Sequence, residues 1–291
     1  MRYEILGSLR ITDGDSTAVL SAHKIETLLA TLVIRSGQVV SSSHLITEIW
    51  GDEPPRRATA TLHVYISQLR KFLGRLGVRG APIATHAPGY VLQLGSDTLD
   101  VHTFQRLLNE GRAHMKANRP AEASAACGAA LDLWRGDALG DLRGGPTIQR
   151  FITWAEEARL ECTELQFEAD LARGLHRELV APLSSLTVLH PLRETFHQQL
   201  MLALYRSERT GEALGVYESL RRTLDDELGI EPCRALRALH QAILVSDARL
   251  DLDIPLAARG RVKSPSEQAV RGIPDTFEKG SLVMSSGRCE I

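Results

Sequence analysis

Cysteine, aromatic residues and long apolar runs are all scarce in this chain. Four cysteines, Cys127, Cys162, Cys233 and Cys289, are scattered over 291 residues with no Cys-x-x-Cys pair. That spacing argues against a disulfide framework or a metal site and for thiols in a reducing cytoplasm. No stretch reaches the ~20 apolar residues of a membrane helix. The longest candidate, Ile25 to Ile34, stops at Arg35. The opening Met1-Arg2-Tyr3-Glu4 meets an acid at once and has no apolar core, unlike a signal peptide. Also missing are HExxH, GxSxG, a GxGxxG after a strand and a GxxxxGKS/T phosphate loop. Zinc-protease, serine-hydrolase and nucleotide-binding chemistry therefore have no sequence support, and neither an enzyme nor a cofactor is expected. Ten histidines are dispersed, and His190 before Pro191 reads as shaping a helix start rather than as a metal ligand. Glu156-Glu157 and Asp225-Asp226-Glu227 read as solvated helix faces.

What is present is unevenly placed. A formal net charge of −2 argues against a nucleic-acid partner, but it averages over two different regions. Pro54 to Ser96 holds six basic residues (Arg56, Arg57, Arg70, Lys71, Arg75, Arg79) and no acid. Thr98 to Ser246 holds seventeen Lys or Arg against twenty-one Asp or Glu. A local basic patch is what phosphate neutralisation requires.

Residues 1–97 read as one unit. Arg2 to Val19 alternates loosely and is broken by Gly7 and Asp13-Gly14-Asp15, the pattern of short strands joined by a turn. Ile25, Leu28, Leu29, Leu32 and Val33 then recur at helical steps until Gly37. Ser41-Ser42-Ser43 offers N-caps for a second helix carrying Leu45, Ile46, Ile49 and Trp50. Past Gly51 to Pro55, a third helix from Arg57 to Leu73 has Leu62, Ile66, Leu69 and Leu73 as its apolar stripe. Ile83 to Leu94 reads as a hairpin turning at Ala87-Pro88-Gly89. Strands, three helices and a hairpin are the order of an α+β winged helix-turn-helix.

Residues 98–248 are helix-periodic throughout. Arg119-Pro120-Ala121-Glu122-Ala123, His176-Arg177-Glu178-Leu179 and Thr210-Gly211-Glu212-Ala213 each open a helix that follows another. Glu178 and Glu212 lie 34 positions apart, the period of a tetratricopeptide-like helix pair. The separation from Glu122 to Glu178 is longer. Residues 249–291, with Gly260, Pro265, Gly272, Pro274 and Gly280, read as a disordered tail or an interaction arm.

The third helix has two unlike faces. Opposite its apolar stripe stand His63, Val64, Ser67, Gln68, Arg70 and Lys71, with Arg56, Arg57, Thr59 and Thr61 at its start. An α-helix fits the major groove, where Gln and His hydrogen-bond base edges and a Val methyl can touch thymine. Arg70 suits a phosphate or a guanine edge, while Lys71 and Arg57 suit phosphates, which fix register. In the hairpin, His86 is either simply exposed or reaches a minor groove or phosphate. Gly89 reads as a backbone requirement and Tyr90 as packing.

Thr61-Leu62-His63-Val64-Tyr65-Ile66-Ser67-Gln68-Leu69-Arg70-Lys71 followed by Pro88-Gly89-Tyr90 resembles the recognition helix and wing of OmpR/PhoB-type winged helices. Leu99 to Phe104, Leu133-Trp134-Arg135-Gly136, His190-Pro191-Leu192-Arg193-Glu194 and Glu227 to Pro232 narrow the likeness. Together they resemble the SARP family (Streptomyces antibiotic regulatory proteins) with its bacterial transcriptional activation domain, over about residues 1–247. The resemblance implies a cytoplasmic, nucleoid-associated activator of a secondary-metabolite gene cluster. Such an activator would bind tandem direct repeats in promoter double-stranded DNA as a pair of chains. It would recruit RNA polymerase through its sigma factor. By position the DNA contacts fall on Arg57, Thr61, His63, Val64, Ser67, Gln68, Arg70, Lys71 and His86. Ser67 and Gln68 stand where many such helices carry Arg, and His86 where family wings often do, so the target sequence is expected to differ. With no phosphate loop, control by ATP within the chain is not expected. A repressor would use the same head, and a protein-binding scaffold would use it without DNA; the acid-free basic stretch argues against the scaffold.

Overall fold

The computed structural model of the chain describes residues 1–14, 16–77 and 82–251. The sequence expectations for Arg79 and for residues 252–291 of the tail lie outside the described residues. Ala248–Leu250, at the expected start of the tail, form a short 3-10 helix.

The chain opens with β1 (Arg2–Glu4), β2 (Arg10–Asp13) and β3 (Ser16–Ala18), an antiparallel meander. Helix α1 (His23–Ile34) follows and buries Leu28, Leu29, Leu32 and Val33. Gly37, at φ +77, turns the chain after it, a backbone angle that L side chains resist. A short strand β4 (Val40–Ser41) leads into α2 (Ser42–Trp50), whose N-cap Ser41 accepts the His44 N–H at 3.2 Å. Helix α3 (Ala58–Arg75) buries Leu62, Ile66, Leu69 and Leu73, the stripe its spacing predicts. The hairpin β5 (Ile83–His86) and β6 (Gly89–Leu92) closes the unit and pairs with β4. Gly89 lies so close to that strand that a Cβ would stand 1.9 Å from the Val40 carbonyl oxygen. Close approach rather than backbone angle excludes a side chain there.

Strand β7 (Thr98–Leu99) then runs parallel to β1, so the first sheet has the order β3-β2-β1-β7. Among the described residues seven α-helices follow: α4 (Asp100–Lys116), α5 (Pro120–Leu131), α6 (Pro146–Ala172), α7 (His176–Leu189), α8 (Glu194–Arg206), α9 (Thr210–Leu228) and α10 (Arg234–Leu244). The turns α4–α5, α6–α7 and α8–α9 are built alike. Each has a left-handed residue, Asn118, Gly174 or Glu208. In each, the next amide reaches back to the last turn of the first helix: Arg119 to His114, Leu175 to Asp170, Arg209 to Leu204. Three helical hairpins with α10 behind them make up the repeat. The first spacing is long because α6 runs to 27 residues and a loop precedes it.

His190 serves both ends of its connection: its carbonyl accepts the amide of Arg193, the residue before α8, at 3.0 Å, and its ring lies 6.1 Å from that of Phe196. Its backbone is non-helical and its N–H donates to the Leu186 carbonyl at 2.8 Å, closing α7. Pro191 explains this, since its ring pushes the preceding residue out of the helical region. Cys127 and Cys162 are buried free thiols, and Cys233 is exposed. Among the described residues no helix is long and apolar enough to cross a membrane.

Contacts on two sides join the winged helix to the repeat. The Asp100 carboxylate accepts the backbone amides of Ile5 (2.8 Å) and Leu6 (2.9 Å), while Oδ1 stays buried without a partner. The loop after α5 donates Arg135 N–H to the Leu6 carbonyl and Leu139 N–H to that of Ile5. On the other side, buried Glu48 of α2 accepts the Thr147 amide at 2.6 Å, capping the first turn of α6. His44 Nε2 lies 2.7 Å from the Thr147 hydroxyl. One apolar cluster accordingly runs from Tyr3 and Leu62 through Phe104 to Cys162, and a second from Leu171 to Ile243.

Candidate nucleic-acid interface

Helix α3 projects its polar face because its apolar stripe is fully used. With Leu62, Ile66, Leu69 and Leu73 packed inward, His63, Ser67 and Lys71 fall in one outward row four residues apart. Val64 and Gln68 flank that row on one side and Arg70 on the other. All are exposed, as are Arg56, Arg57 and Thr59 at the start of the helix. Thr61 is only partly exposed, and its hydroxyl donates to the Arg57 carbonyl at 3.1 Å. The first turn of α3 carries no acid. Its unpaired amides and the two arginines therefore place positive charge at one end of the face.

Arg70 leans away from the row. Its Nε donates to the Ile83 carbonyl (2.9 Å), its Nη2 to the Thr85 hydroxyl (2.9 Å), and its guanidinium lies 5.9 Å from the Tyr90 ring centre. The side chain thus ties the helix to both strands of the hairpin. His86 is exposed beside the hairpin turn. At that turn the Pro88 carbonyl accepts the Ser42 amide (3.2 Å) and hydroxyl (3.3 Å), docking the turn on the start of α2. Helix, hairpin turn and the start of α2 are therefore one mechanical unit.

Sequence reasoning missed three of these supports. The Arg70 tie, the Ser42–Pro88 contact and the stack of Trp50 on Tyr65 (5.8 Å, with the Lys24 ammonium 5.5 Å from the Trp50 ring) all join residues distant in sequence. No local spacing signals them. They change what Arg70→Ala should do. Loss of the tie is expected to weaken binding to all DNA sequences alike, by on the order of ten-fold, with the preferred site unchanged. A competition assay on a binding site and its single-base variants checks this. Preference relaxed at one base pair alone would instead make Arg70 a base reader.

Comparisons agree with this architecture. Residues 17–92 match the family described as transcriptional regulatory protein, C terminal, and residues 99–244 match the bacterial transcriptional activator domain. The chain is 37% identical to the regulatory protein DnrI of Streptomyces peucetius, over 89% of this chain and 98% of that protein. It is 35% identical to the regulatory protein AfsR of Streptomyces griseus, where 99% of this chain spans only 29% of the relative. Among solved structures, Mycobacterium tuberculosis EmbR in complex with a low-affinity phosphopeptide superposes with a TM-score of 0.80 at 36% identity. That match covers 84% of this chain and 65% of EmbR. With both halves matched in order, the chain belongs to the SARP family of DNA-binding transcriptional activators, an OmpR/PhoB-type winged helix followed by a bacterial transcriptional activator domain.

Proposed function

We propose that this protein switches on a secondary-metabolite, antibiotic-type biosynthetic gene cluster. Two chains sit side by side on tandem direct repeats in the promoter and recruit RNA polymerase through its sigma factor. The observation that carries the reading is the exposed row His63, Ser67 and Lys71 on a helix whose other face is fully buried. It lies in a stretch free of acids. Base choice falls to His63, Val64, Ser67 and Gln68. Phosphate contact falls to Arg56, Arg57, Thr59 and Lys71, with Thr61 and His86 at the edges and Arg70 holding the hairpin. Repeats one helical turn apart, or a multiple of it, place both chains on one face of the DNA. The repeat domains then stand beside the polymerase.

The test is a random-sequence DNA selection with the full chain, followed by transcription in vitro with purified polymerase. Enrichment of a spaced direct repeat, affinity that falls steeply with salt and more transcript from a promoter carrying the repeat are expected. Less transcript with the same DNA preference would make the protein a repressor. No enrichment even at low salt would leave the head as a protein-binding module.

A further inference from the structure

Away from the polar face of α3, a pocket in the repeat domain gathers several incompletely partnered groups. Between α6 and α8 lies an open pocket of about 460 Å3, a volume typical of small-molecule sites. Leu171, Ala172 and Leu202 form its apolar wall, and Arg206, Gln199 and Glu168 its polar one. Arg206 is held rigidly, its Nε donating to the Leu250 carbonyl and its Nη1 to that of Leu171, both at 2.9 Å. Among the described residues no carboxylate pairs with it within 4 Å, and Nη2 has no partner. Two carbonyls orient the guanidinium, burial lowers its pKa, and the Asp251 carboxylate acts on it without forming an ion pair.

The surroundings repeat that imbalance. His176 lies near enough that its pKa is lowered, first by burial and next by the charge of Arg206. Its Nδ1 is buried without a partner. Gln199 is 8% exposed. Its Nε2 donates to the Glu164 carbonyl at 2.8 Å, which fixes the amide and leaves Oε1 buried with nothing to accept. A buried acceptor without a donor costs free energy that a ligand N–H or O–H would recover. Among the described residues Arg206 therefore lacks an ion-pair partner and Gln199 Oε1 a hydrogen-bond donor, beside an apolar wall. Glu168 at the same pocket disfavours a dianion such as phosphate.

We propose that the α6–α8 pocket binds a small organic monocarboxylate with an apolar body and an N–H or O–H donor. Its carboxylate pairs with the guanidinium of Arg206, its donor meets Gln199 Oε1, and its apolar body lies on Leu171 and Leu202. The guanidinium fork suits a carboxylate, and its preset orientation reduces the ordering cost of binding.

N-acetyl-leucine has all three features and serves as the probe, with the full chain titrated by calorimetry and by NMR of the His176 ring. Millimolar or tighter binding is expected, together with a rise in the His176 pKa. The neutral N-acetyl-leucinamide should bind at least ten-fold more weakly. Leu202→Trp fills the pocket and Ala172→Trp covers it from the exposed side. Either variant that keeps the wild-type melt should lose the probe. Equal affinity for acid and amide, binding that survives in such a variant, inorganic phosphate binding as well as the probe, or no binding at ~10 mM would each overturn the proposal.

Discussion

A fragment ending at Asp97 is expected to lose most of its DNA affinity and its cooperative melt, although it keeps every candidate contact residue. The cut removes β7, which pairs with β1 through Arg2 and Tyr3. It removes the Asp100 carboxylate from the Ile5 and Leu6 amides, and the two loop amides from their carbonyls. Arg135 goes too, whose guanidinium reaches the Ser8 carbonyl at 3.2 Å and Glu4 at 3.3 Å. The apolar side chains Tyr3, Ile5 and Leu6, now fully buried, lose Phe104 and Leu108 from their shared cluster. Each hydrogen bond lost contributes ~0.5–1.5 kcal/mol net, and a buried Phe adds ~1.5–3 kcal/mol. Together these losses rival the ~5–15 kcal/mol that holds a typical domain folded. Thermal melts and fluorescence anisotropy on residues 1–97 and residues 1–251 make the comparison. A melt within a few degrees of the longer chain's, with equal affinity for a half-site, would show that the head stands alone.

That expectation also marks where sequence reading ran out. Local features were legible because they rest on period and turn chemistry. The stripe on α3, the Ser41 cap, the hairpin turn at Pro88-Gly89 and the 34-residue spacing each announce themselves within a few residues or one repeat. The supports are different in kind. Glu48 sits among Leu45, Ile46, Ile49 and Trp50 on a helix, and nothing in that run distinguishes a buried capping carboxylate from a solvated one. Its partner Thr147 is 99 positions away. Arg70 looks from sequence like one more cation on a polar face, because its use depends on the hairpin that folds back against it. Strand β7 is two residues long, too short for alternation to register, and exists because β1 offers it an edge. The result is a head whose exposed helix face was visible in the sequence and whose attachment was not.

The attachment should also make stability depend on pH, through Asp100. Burial, the largest influence, pushes its carboxyl up from 3.8 to about 6, against the pull of the Leu6 and Ile5 amides. The sign follows from which state holds the proton. Between pH 3.8 and about 6 the folded chain binds it more tightly than the unfolded chain, so this group's contribution is fullest below pH 3.8 and is lost as pH rises through about 6. A shift of about two units corresponds to ~3 kcal/mol. Asp100→Asn keeps an oxygen for both amides and is neutral throughout. Relative to the wild type it is therefore expected to gain up to ~3 kcal/mol between pH 4 and pH 7, read from urea melts at each pH. Parallel stability profiles would mean that the buried carboxylate is as well solvated in the fold as in the open chain. If the profiles diverge instead, the same variant gains a use. A protein with the attachment strengthened at neutral pH should hold its DNA affinity to higher temperature, tying the buried joint to the reading of the promoter.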